Sequence, residues 1–164
     1  MKLTHFVAIA AASAIFLGSS AHAEDKPFTG PYVAGEVSVT DDDFAGTQEG
    51  SWGVEAGYDH DIGSAVIGGR VNYGRLFDDD DMGFSDVSVL ARIGMKPARN
   101  VLVYGLGGYS HLDFDAGTSD GFKLGLGAEM ALGKGLTARL ETRYGNYEDG
   151  LDLYQTAIGI GYRF

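Results

Sequence analysis

The chain has no cysteine among its 164 residues and only 3 prolines. Without cysteine it cannot form disulfides, a thiolate metal site or a lipid-modified N-terminal cysteine. Positive charge is also scarce, with 12 Lys and Arg against 23 Asp and Glu and a formal net charge of −11. This imbalance argues against nucleic-acid binding, which needs a basic surface, and against a basic anchor for anionic lipid headgroups.

Long apolar runs are absent too, apart from the stretch between Phe6 and Leu17. This stretch is too short to cross a bilayer as a helix, and it lies between Lys2 and the small-residue sequence Ala21-His22-Ala23. Residues 1–23 are therefore predicted to be a cleaved signal peptide for the general secretion pathway. The remainder, 24–164, is of a size that suits one domain.

What the chain does have is two-residue alternation of apolar and polar or small side chains, together with 26 glycines, 9 Tyr and 9 Phe. So many aromatic residues argue against disorder. Each alternating segment is about as long as the ~9–11 residues that a tilted membrane strand needs. We predict strands in eight segments: 31–40, 50–60, 65–77, 85–96, 101–112, 121–132, 135–147 and 152–164.

The apolar phase contains no charge in the middle of any segment. It holds residues such as Val54, Ile93 and Leu126, and in 101–112 it is assigned to Leu102, Tyr104 and Leu106 although Val101 and Val103 blur the pattern. The opposite phase carries the charged residues Glu36, Glu55, Asp59, Arg70, Arg92, Lys96, Lys123, Glu129, Arg139, Glu141, Arg143 and Arg163.

The links between segments alternate in character. Short turn sequences at 60–64, 97–100 and 133–135 alternate with acidic links at 41–43, 78–81, 113–120 and 148–150. In bacterial membrane barrels the short turns are periplasmic and the longer loops are extracellular. An even strand number then leaves both termini on the periplasmic side and the acidic links outside.

A soluble lipocalin-like barrel shares this alternation but turns the apolar phase inward. Aromatic residues near segment ends favour the membrane barrel, because such barrels carry girdles at headgroup level. The periplasmic girdle is assigned to Tyr58, Tyr104, Tyr162 and Phe164, and the outer girdle to Trp52, Phe77, Phe122, Tyr144 and Tyr154. We predict an all-β, eight-stranded, antiparallel up-and-down transmembrane barrel whose charges pair in a narrow lumen.

The last segment adds a further indication. Gly159, Tyr162 and the terminal Phe164 resemble the signal read by the barrel assembly machinery, with Ala157 where a polar residue is usual. Residues 24–164 resemble the small outer-membrane β-barrel family of opacity-protein-like surface antigens, outer membrane protein X and the transmembrane domain of outer membrane protein A. The resemblance implies a monomer in a Gram-negative outer membrane, with lipid and lipopolysaccharide as surroundings, the assembly machinery as a partner, and no cofactor.

Ser110 and His111 invite a hydrolase interpretation, because some small outer-membrane barrels are lipid A deacylases. Adjacent strand residues point to opposite faces, so the two cannot form a nucleophile–base pair without a bulge. No catalytic residue is therefore predicted. The acidic links lack a twelve-residue calcium loop or a repeated Gly-Asp motif, so no specific metal site is predicted, although divalent cations could bridge them to lipopolysaccharide phosphate.

The lumen network allows three interpretations: a proton path, a gate, or a stabilising set of ion pairs. The stabilising role is favoured, because charges inside so narrow a barrel must be paired. Its predicted members are Glu36, Glu55, Arg70, Arg92, Lys123, Glu129, Arg139, Glu141 and Arg143. The expected function is structural or surface-interacting, with a narrow porin-like channel and a lipid A-modifying enzyme as alternatives.

Overall fold

The computed structural model describes residues 26–42, 47–77, 84–115 and 117–164. The predicted signal peptide, Asp43 and the acidic run 78–81 lie outside these residues. The described chain forms eight strands and a short 3-10 helix at Glu148–Gly150. The strands are β1 Gly30–Asp42, β2 Thr47–Asp61, β3 Ala65–Leu76, β4 Ser85–Ala98, β5 Val101–Phe114, β6 Gly117–Gly133, β7 Leu136–Tyr147 and β8 Asp152–Arg163.

The sheet is a closed barrel. Each strand pairs antiparallel with the next one along the chain, and β8 returns to pair with β1 from Tyr32↔Arg163 to Asp42↔Leu153. Closure leaves no strand edge with unpaired backbone groups. This confirms the predicted eight-stranded antiparallel up-and-down barrel. Among the described residues no helix is long and apolar enough to cross a membrane.

The two faces of the sheet are opposite in polarity to those of a soluble barrel. Large apolar side chains are exposed on the outside, for example Leu126 at 66%, Ile93 at 63% and Ile160 at 63%. Charged side chains are buried on the inside, with Glu141 at 1% and Glu129 at 2%. Hydrocarbon is the solvent that matches the outer face. The predicted assignment of faces is confirmed in seven of the strands.

The exception is β5, where the predicted phase is wrong. Leu102 and Tyr104 point into the barrel with exposures of 0% and 2%, and Leu106 does so with 6%, whereas Val103 is exposed on the outside. Both phases of this strand are apolar, so alternation cannot choose between them. Pairing with the neighbours decides, because Leu102 lies opposite the inward Glu129. Tyr104 accordingly does not belong to the periplasmic girdle.

The prediction of an acidic loop at 113–120 is also wrong. Strand β5 continues to Phe114 and β6 begins at Gly117, with Asp113 paired to Thr118. This hairpin is tight. At the opposite end the β6–β7 turn has positive φ angles of 97°, 52° and 80° at Gly133, Lys134 and Gly135, which explains its two glycines.

Apolar residues lie at both ends of the interior. At the end that holds the termini, Phe28 is fully buried and packs with Val66, Leu90, Leu102, Tyr104 and Leu106. Residues Lys26–Thr29 form a turn in which Thr29 N donates to the Lys26 carbonyl over 3.1 Å. This turn places the Phe28 ring inside the barrel. At the other end Leu112 is buried, and Phe84 packs against Phe114 with ring centroids 5.2 Å apart.

Candidate functional site: a paired-charge network inside the barrel

All nine predicted network residues lie buried inside the barrel, and the structure brings them together with three further ions, Asp59, Asp86 and Arg163. Every strand except β5 contributes at least one of the twelve ions, because alternation sends every second side chain inward. Along the barrel axis the ions fall into three groups, which we call the periplasmic, central and outer layers.

The periplasmic layer consists of Asp59, Arg92, Glu129 and Arg163. Arg92 donates to both carboxylates, with Nη1 2.7 Å from Glu129 Oε2. Arg163 does the same, at 2.8 Å from Asp59 and 3.0 Å from Glu129. The Tyr32 ring lies against both guanidinium groups, 5.2 Å from Arg92 and 4.7 Å from Arg163. The layer contains two positive and two negative groups and is neutral.

The central layer consists of Glu36, Glu55, Arg70, Arg139, Glu141 and Arg143. Arg70 donates both terminal nitrogens to Glu141 over 2.6 Å, and Arg143 does the same to Glu36 over 2.6 Å. Arg139 donates to Glu55 and, over 3.2 Å, to Glu36. The bidentate contacts of Arg70 and Arg143 are the strongest form of ion pair in proteins. This layer is also neutral, with three charges of each sign.

The outer layer is built on the pair Asp86–Lys123. Lys123 donates to Asp86 and, over 3.1 Å, to Ser88 Oγ. Asp86 Oδ1 accepts from Ser110 over 2.7 Å and from Ser88 over 3.0 Å, and Ser110 contacts the Tyr147 hydroxyl at 3.0 Å. Sequence reasoning missed Asp86 and Tyr147. The alternation of β4 could have found Asp86, which is in phase with the predicted lumen residue Arg92.

The buried ions of the three layers therefore balance, with six of each sign. At the periplasmic rim Lys96 pairs with Asp61 as well. A buried charge without a partner costs several kcal/mol, so balance within each layer is what makes such an interior tolerable. Among the described residues, a cavity beside Lys123, Arg143 and Gln155 has a volume of about 30 Å³. That is about the room of one water molecule.

Inward glycines make room for the tyrosine rings of the lumen. A Cβ at Gly127 would lie 2.6 Å from Tyr104 Cζ, and one at Gly57 would lie 2.7 Å from Tyr32 Cζ. Tyr104 also joins two layers, because its hydroxyl donates to Glu141 while its ring lies 4.7 Å from the Arg92 guanidinium carbon. Part of the high glycine content thus serves close packing inside the barrel.

Ser110 and His111 lie on opposite faces of β5. Ser110 is fully buried in the outer layer, whereas His111 is on the outside, with Nδ1 2.5 Å from Asp120 Oδ1. They do not form a nucleophile–base pair. Among the described residues, moreover, no group of three or more His, Asp or Glu could hold a metal ion.

The residues of the predicted assembly signal occupy both faces of β8. Gly159 faces inward, where a Cβ would lie 3.0 Å from Arg139 Nε. Tyr162 and Phe164 are on the outside with exposures of 47% and 45%, and their rings pack edge to face with centroids 5.1 Å apart. The two aromatic rings lie at the periplasmic end of the barrel, where the girdle was predicted.

A closed antiparallel barrel with an apolar outer face and an ion-filled interior defines an integral outer-membrane β-barrel protein. The family model for the outer membrane protein beta-barrel domain matches residues 9–164, and the chain belongs to this family. No curated protein matches the sequence. The protein is thus an integral protein of the Gram-negative outer membrane.

Solved structures support the same fold. Neisserial surface protein A superposes with a TM-score of 0.60 at 15% identity, covering 82% of this chain and 97% of that one. Ail, the attachment invasion locus protein of Yersinia pestis, gives 0.60 at 17% identity, covering 82% and 96%. The N-terminal barrel of Pseudomonas aeruginosa OprF gives 0.55 at 15% identity, covering 80% and 97%. Identities this low establish the fold alone, and they agree with the family resemblance drawn from the sequence.

Proposed function

We propose that this protein is a sealed, non-catalytic barrel with a structural and surface-interacting role in the outer membrane. The observation that carries the proposal is the interior: neutral layers of paired ions fill it, and a buried apolar cluster around Phe28 lies at its periplasmic end. Such an interior stabilises a membrane barrel and offers no continuous path for water or ions. The porin-like alternative requires that path.

The arrangement of the ion pairs argues against a gating function for the network. Arg92, Arg139 and Arg143 each contact more than one carboxylate, so moving any of these side chains breaks several pairs at once. Removing one partner from a buried pair costs about 3–5 kcal/mol. A gate would need a second arrangement of nearly equal energy, and a cavity the size of one water offers no space for it.

The apolar cluster at the periplasmic end supports the same conclusion. Phe28, Leu102 and Val66 are each fully buried at the periplasmic end. Water is excluded from narrow apolar constrictions, which is how hydrophobic gates stop conduction. The apolar cluster around Phe28 therefore prevents water from reaching the ion layers from the periplasmic side.

A non-catalytic role is supported by the separation of Ser110 from His111. The hydroxyl of Ser110 is bound to Asp86 in the interior, where no lipid headgroup reaches it. We propose that contacts with the surroundings instead involve the rim and the outer face. The apolar band contacts outer-membrane lipid and lipopolysaccharide, and Gly159, Tyr162 and Phe164 present the closing strand to the barrel assembly machinery after secretion.

Planar-bilayer recording of the refolded protein tests the sealed interior. We expect no reproducible conductance steps from the wild type. Steps that change on substitution of Arg92 or Glu129 would refute the proposal and favour the channel.

Thiol labelling provides a second test, because the chain has no cysteine and a single introduced one reports alone. Leu102→Cys should resist a membrane-impermeant thiol reagent, and adding Phe28→Ala should make it reactive. Arg99→Cys, in the exposed β4–β5 turn, is the reactive control. Rapid labelling of Leu102→Cys with Phe28 intact would contradict the seal.

Mass spectrometry of lipopolysaccharide incubated with the purified barrel tests the enzyme alternative. Unchanged acylation is expected, and a change abolished by Ser110→Ala would overturn the non-catalytic assignment.

A further inference from the structure

Two exposed cations lie in neighbouring turns at the periplasmic end of the barrel. Arg99 is in the β4–β5 turn and Lys134 is in the β6–β7 turn, and both side chains are exposed. The turns contact each other, because Ala131 N in β6 donates to the Asn100 carbonyl over 2.8 Å. We call Arg99 and Lys134 together the basic patch.

The basic patch stands out in a chain whose formal net charge is −11. The stretches 95–103 and 130–138, which contain both turns and the strand ends beside them, include no Asp or Glu. The described acidic side chains of this end are already paired, Asp61 with a lysine of β4, and Asp59 and Glu129 with the arginines of the periplasmic layer. Both cations of the patch are therefore left for an anion from outside the described chain.

The backbone at Lys134 is unusual. Its φ is 52°, and among the described residues it is the one non-glycine residue with a positive φ. A side chain is disfavoured in this left-handed region, where glycine is the residue that avoids the strain. Strained backbone of this kind is typical of functional positions. The strain therefore indicates a role for the ammonium group at the tip of the turn.

The patch lies at the level of the lipid headgroups. Leu136, the first residue of β7, pairs with Tyr162, which belongs to the periplasmic aromatic girdle. Lys134 comes two positions before Leu136 and lies beyond the girdle, where a long cationic side chain extends to the membrane surface. The leaflet at this end of the barrel consists of glycerophospholipids, because lipopolysaccharide occupies the opposite leaflet.

An apolar surface lies directly beneath the patch. Met95 on β4 pairs with Val103 on β5, and their side chains are exposed at 71% and 48%. Met130 and Leu132 on β6 are exposed at 45% and 50%. Methionine side chains are flexible and adapt to irregular partners. This surface suits a disordered acyl chain whose headgroup is held at the turns above it.

The chemistry of the two cations selects the headgroup. A guanidinium group donates two parallel hydrogen bonds to a phosphate, and an ammonium group adds a compact positive charge. A headgroup that carries its own amine would place a third positive charge beside Arg99 and Lys134. A phosphodiester whose substituent is uncharged is therefore the better match.

We propose that Arg99 and Lys134 form a binding site for the phosphodiester of one anionic glycerophospholipid of the periplasmic leaflet, such as phosphatidylglycerol. The acyl chains pack against Met95, Val103 and Met130. This inference rests on the proposed contact between the outer face and membrane lipid, and it is independent of the sealed interior. The site holds the periplasmic end of the barrel in the leaflet that contains its ligand.

Native mass spectrometry tests the headgroup. The refolded barrel is released from micelles that contain equal amounts of phosphatidylglycerol and phosphatidylethanolamine with identical acyl chains. The wild type should retain phosphatidylglycerol over phosphatidylethanolamine by at least about fivefold, the factor that corresponds to one cation near an anionic surface. The double variant Arg99→Gln with Lys134→Gln should retain both lipids equally.

Arg75→Gln is the matched control for Arg99→Gln. It also removes one arginine charge, but Arg75 lies on β3 at the opposite end of the barrel, where it pairs with Trp52 and Ser85. Arg75→Gln should keep the preference, whereas Arg99→Gln should lower it by about fivefold. Equal retention of the two lipids by the wild type, or equal effects of the two single variants, would overturn the proposal.

Lys134 allows charge and backbone to be separated. Lys134→Gly removes the ammonium group and relieves the strain at φ 52°, so the urea midpoint should stay or rise while the lipid preference falls by about fivefold. Lys134→Arg should keep the preference. An undiminished preference in Lys134→Gly, or its loss in Lys134→Arg, would refute the role of the charge.

A final arm distinguishes lipid from free anion. Millimolar inorganic phosphate should leave the bound phosphatidylglycerol in place, and its displacement would overturn the assignment to a lipid. Heat-modifiable gel migration verifies that each variant is a closed barrel. Retention of both lipids without preference would refute this site alone, whereas retention of neither would refute the proposed lipid contact of the outer face as well.

Discussion

The outer-layer pair Asp86–Lys123 allows a direct measurement of how dry the interior is. Both side chains are buried, at 6% and 5% exposure, and Lys123 is the only cation that contacts Asp86 in the described structure. Asp86→Leu leaves a buried ammonium without its carboxylate. Lys123→Met leaves a buried carboxylate held only by the hydroxyls of Ser88 and Ser110.

Each single substitution should lower the free energy of unfolding by about 3–5 kcal/mol, because each leaves one uncompensated charge in a medium of low polarity. The double variant, Asp86→Leu with Lys123→Met, leaves no charge unpaired. Replacing both members of a buried ion pair by apolar residues often changes stability little. The double variant should therefore lower the free energy of unfolding by only about 1–2 kcal/mol, part of which comes from the serine hydroxyls that lose their hydrogen-bond partner. The coupling free energy should therefore exceed about 2 kcal/mol.

Urea titration of the refolded barrel in detergent, followed by gel mobility and circular dichroism, provides these free energies. Asp115→Asn, in the exposed β5–β6 hairpin, removes a charge from solvent and should stay within about 0.5 kcal/mol of the wild type. Single variants at Asp86 and Lys123 that are as mild as this control would show that water solvates the lumen. The sealed interior would then be refuted.

Three further predictions concern packing and assembly. Gly127→Ala should destabilise the barrel by about 1–3 kcal/mol in the same urea titration, since its Cβ would overlap the Tyr104 ring, whereas Gly69→Ala should not. Ser110→Ala should lower stability by about 1–3 kcal/mol through unmet hydrogen bonds in the outer layer, and a neutral effect would show that those bonds contribute nothing. Phe164→Ala should slow insertion of the barrel by the assembly machinery, while the loss of its ring contact with Tyr162 should lower the free energy of unfolding by only about 0.5–1.5 kcal/mol; unchanged insertion kinetics would contradict its role in the assembly signal.

Most of the architecture could be predicted because every strand of a membrane barrel alternates side chains that face lipid with side chains that face the lumen. Seven strands carry at least one charged residue in the inward phase, so the lumen face of residues such as Arg70 and Glu141 follows from alternation alone. Strand β5 breaks this pattern. Leu102, Tyr104 and Leu106 carry no charge to mark their face, and their inward direction depends on pairing with β4 and β6.

Other parts of the site depend on contacts that no local pattern records. Phe28 lies before the first alternating segment, and its burial arises from a turn that brings it against residues of three other strands. Asp86 lies next to an acidic stretch, where a carboxylate is expected to be solvated. The link at 113–120 is acidic and contains Gly117, yet cross-strand pairs such as His111 with Asp120 extend the sheet almost to its tip.

The β1–β8 seam joins parts of the chain that are far apart in sequence. Arg163, for example, donates to the Gly30 carbonyl across 133 positions. A contact of such long range cannot form until nearly all the polypeptide has left the ribosome and crossed the inner membrane. Until then one edge of β1 has unpaired backbone N–H and C=O groups, and such an edge can pair with another chain. The topology thus makes a period before closure unavoidable, during which the unpaired chain is exposed to aggregation.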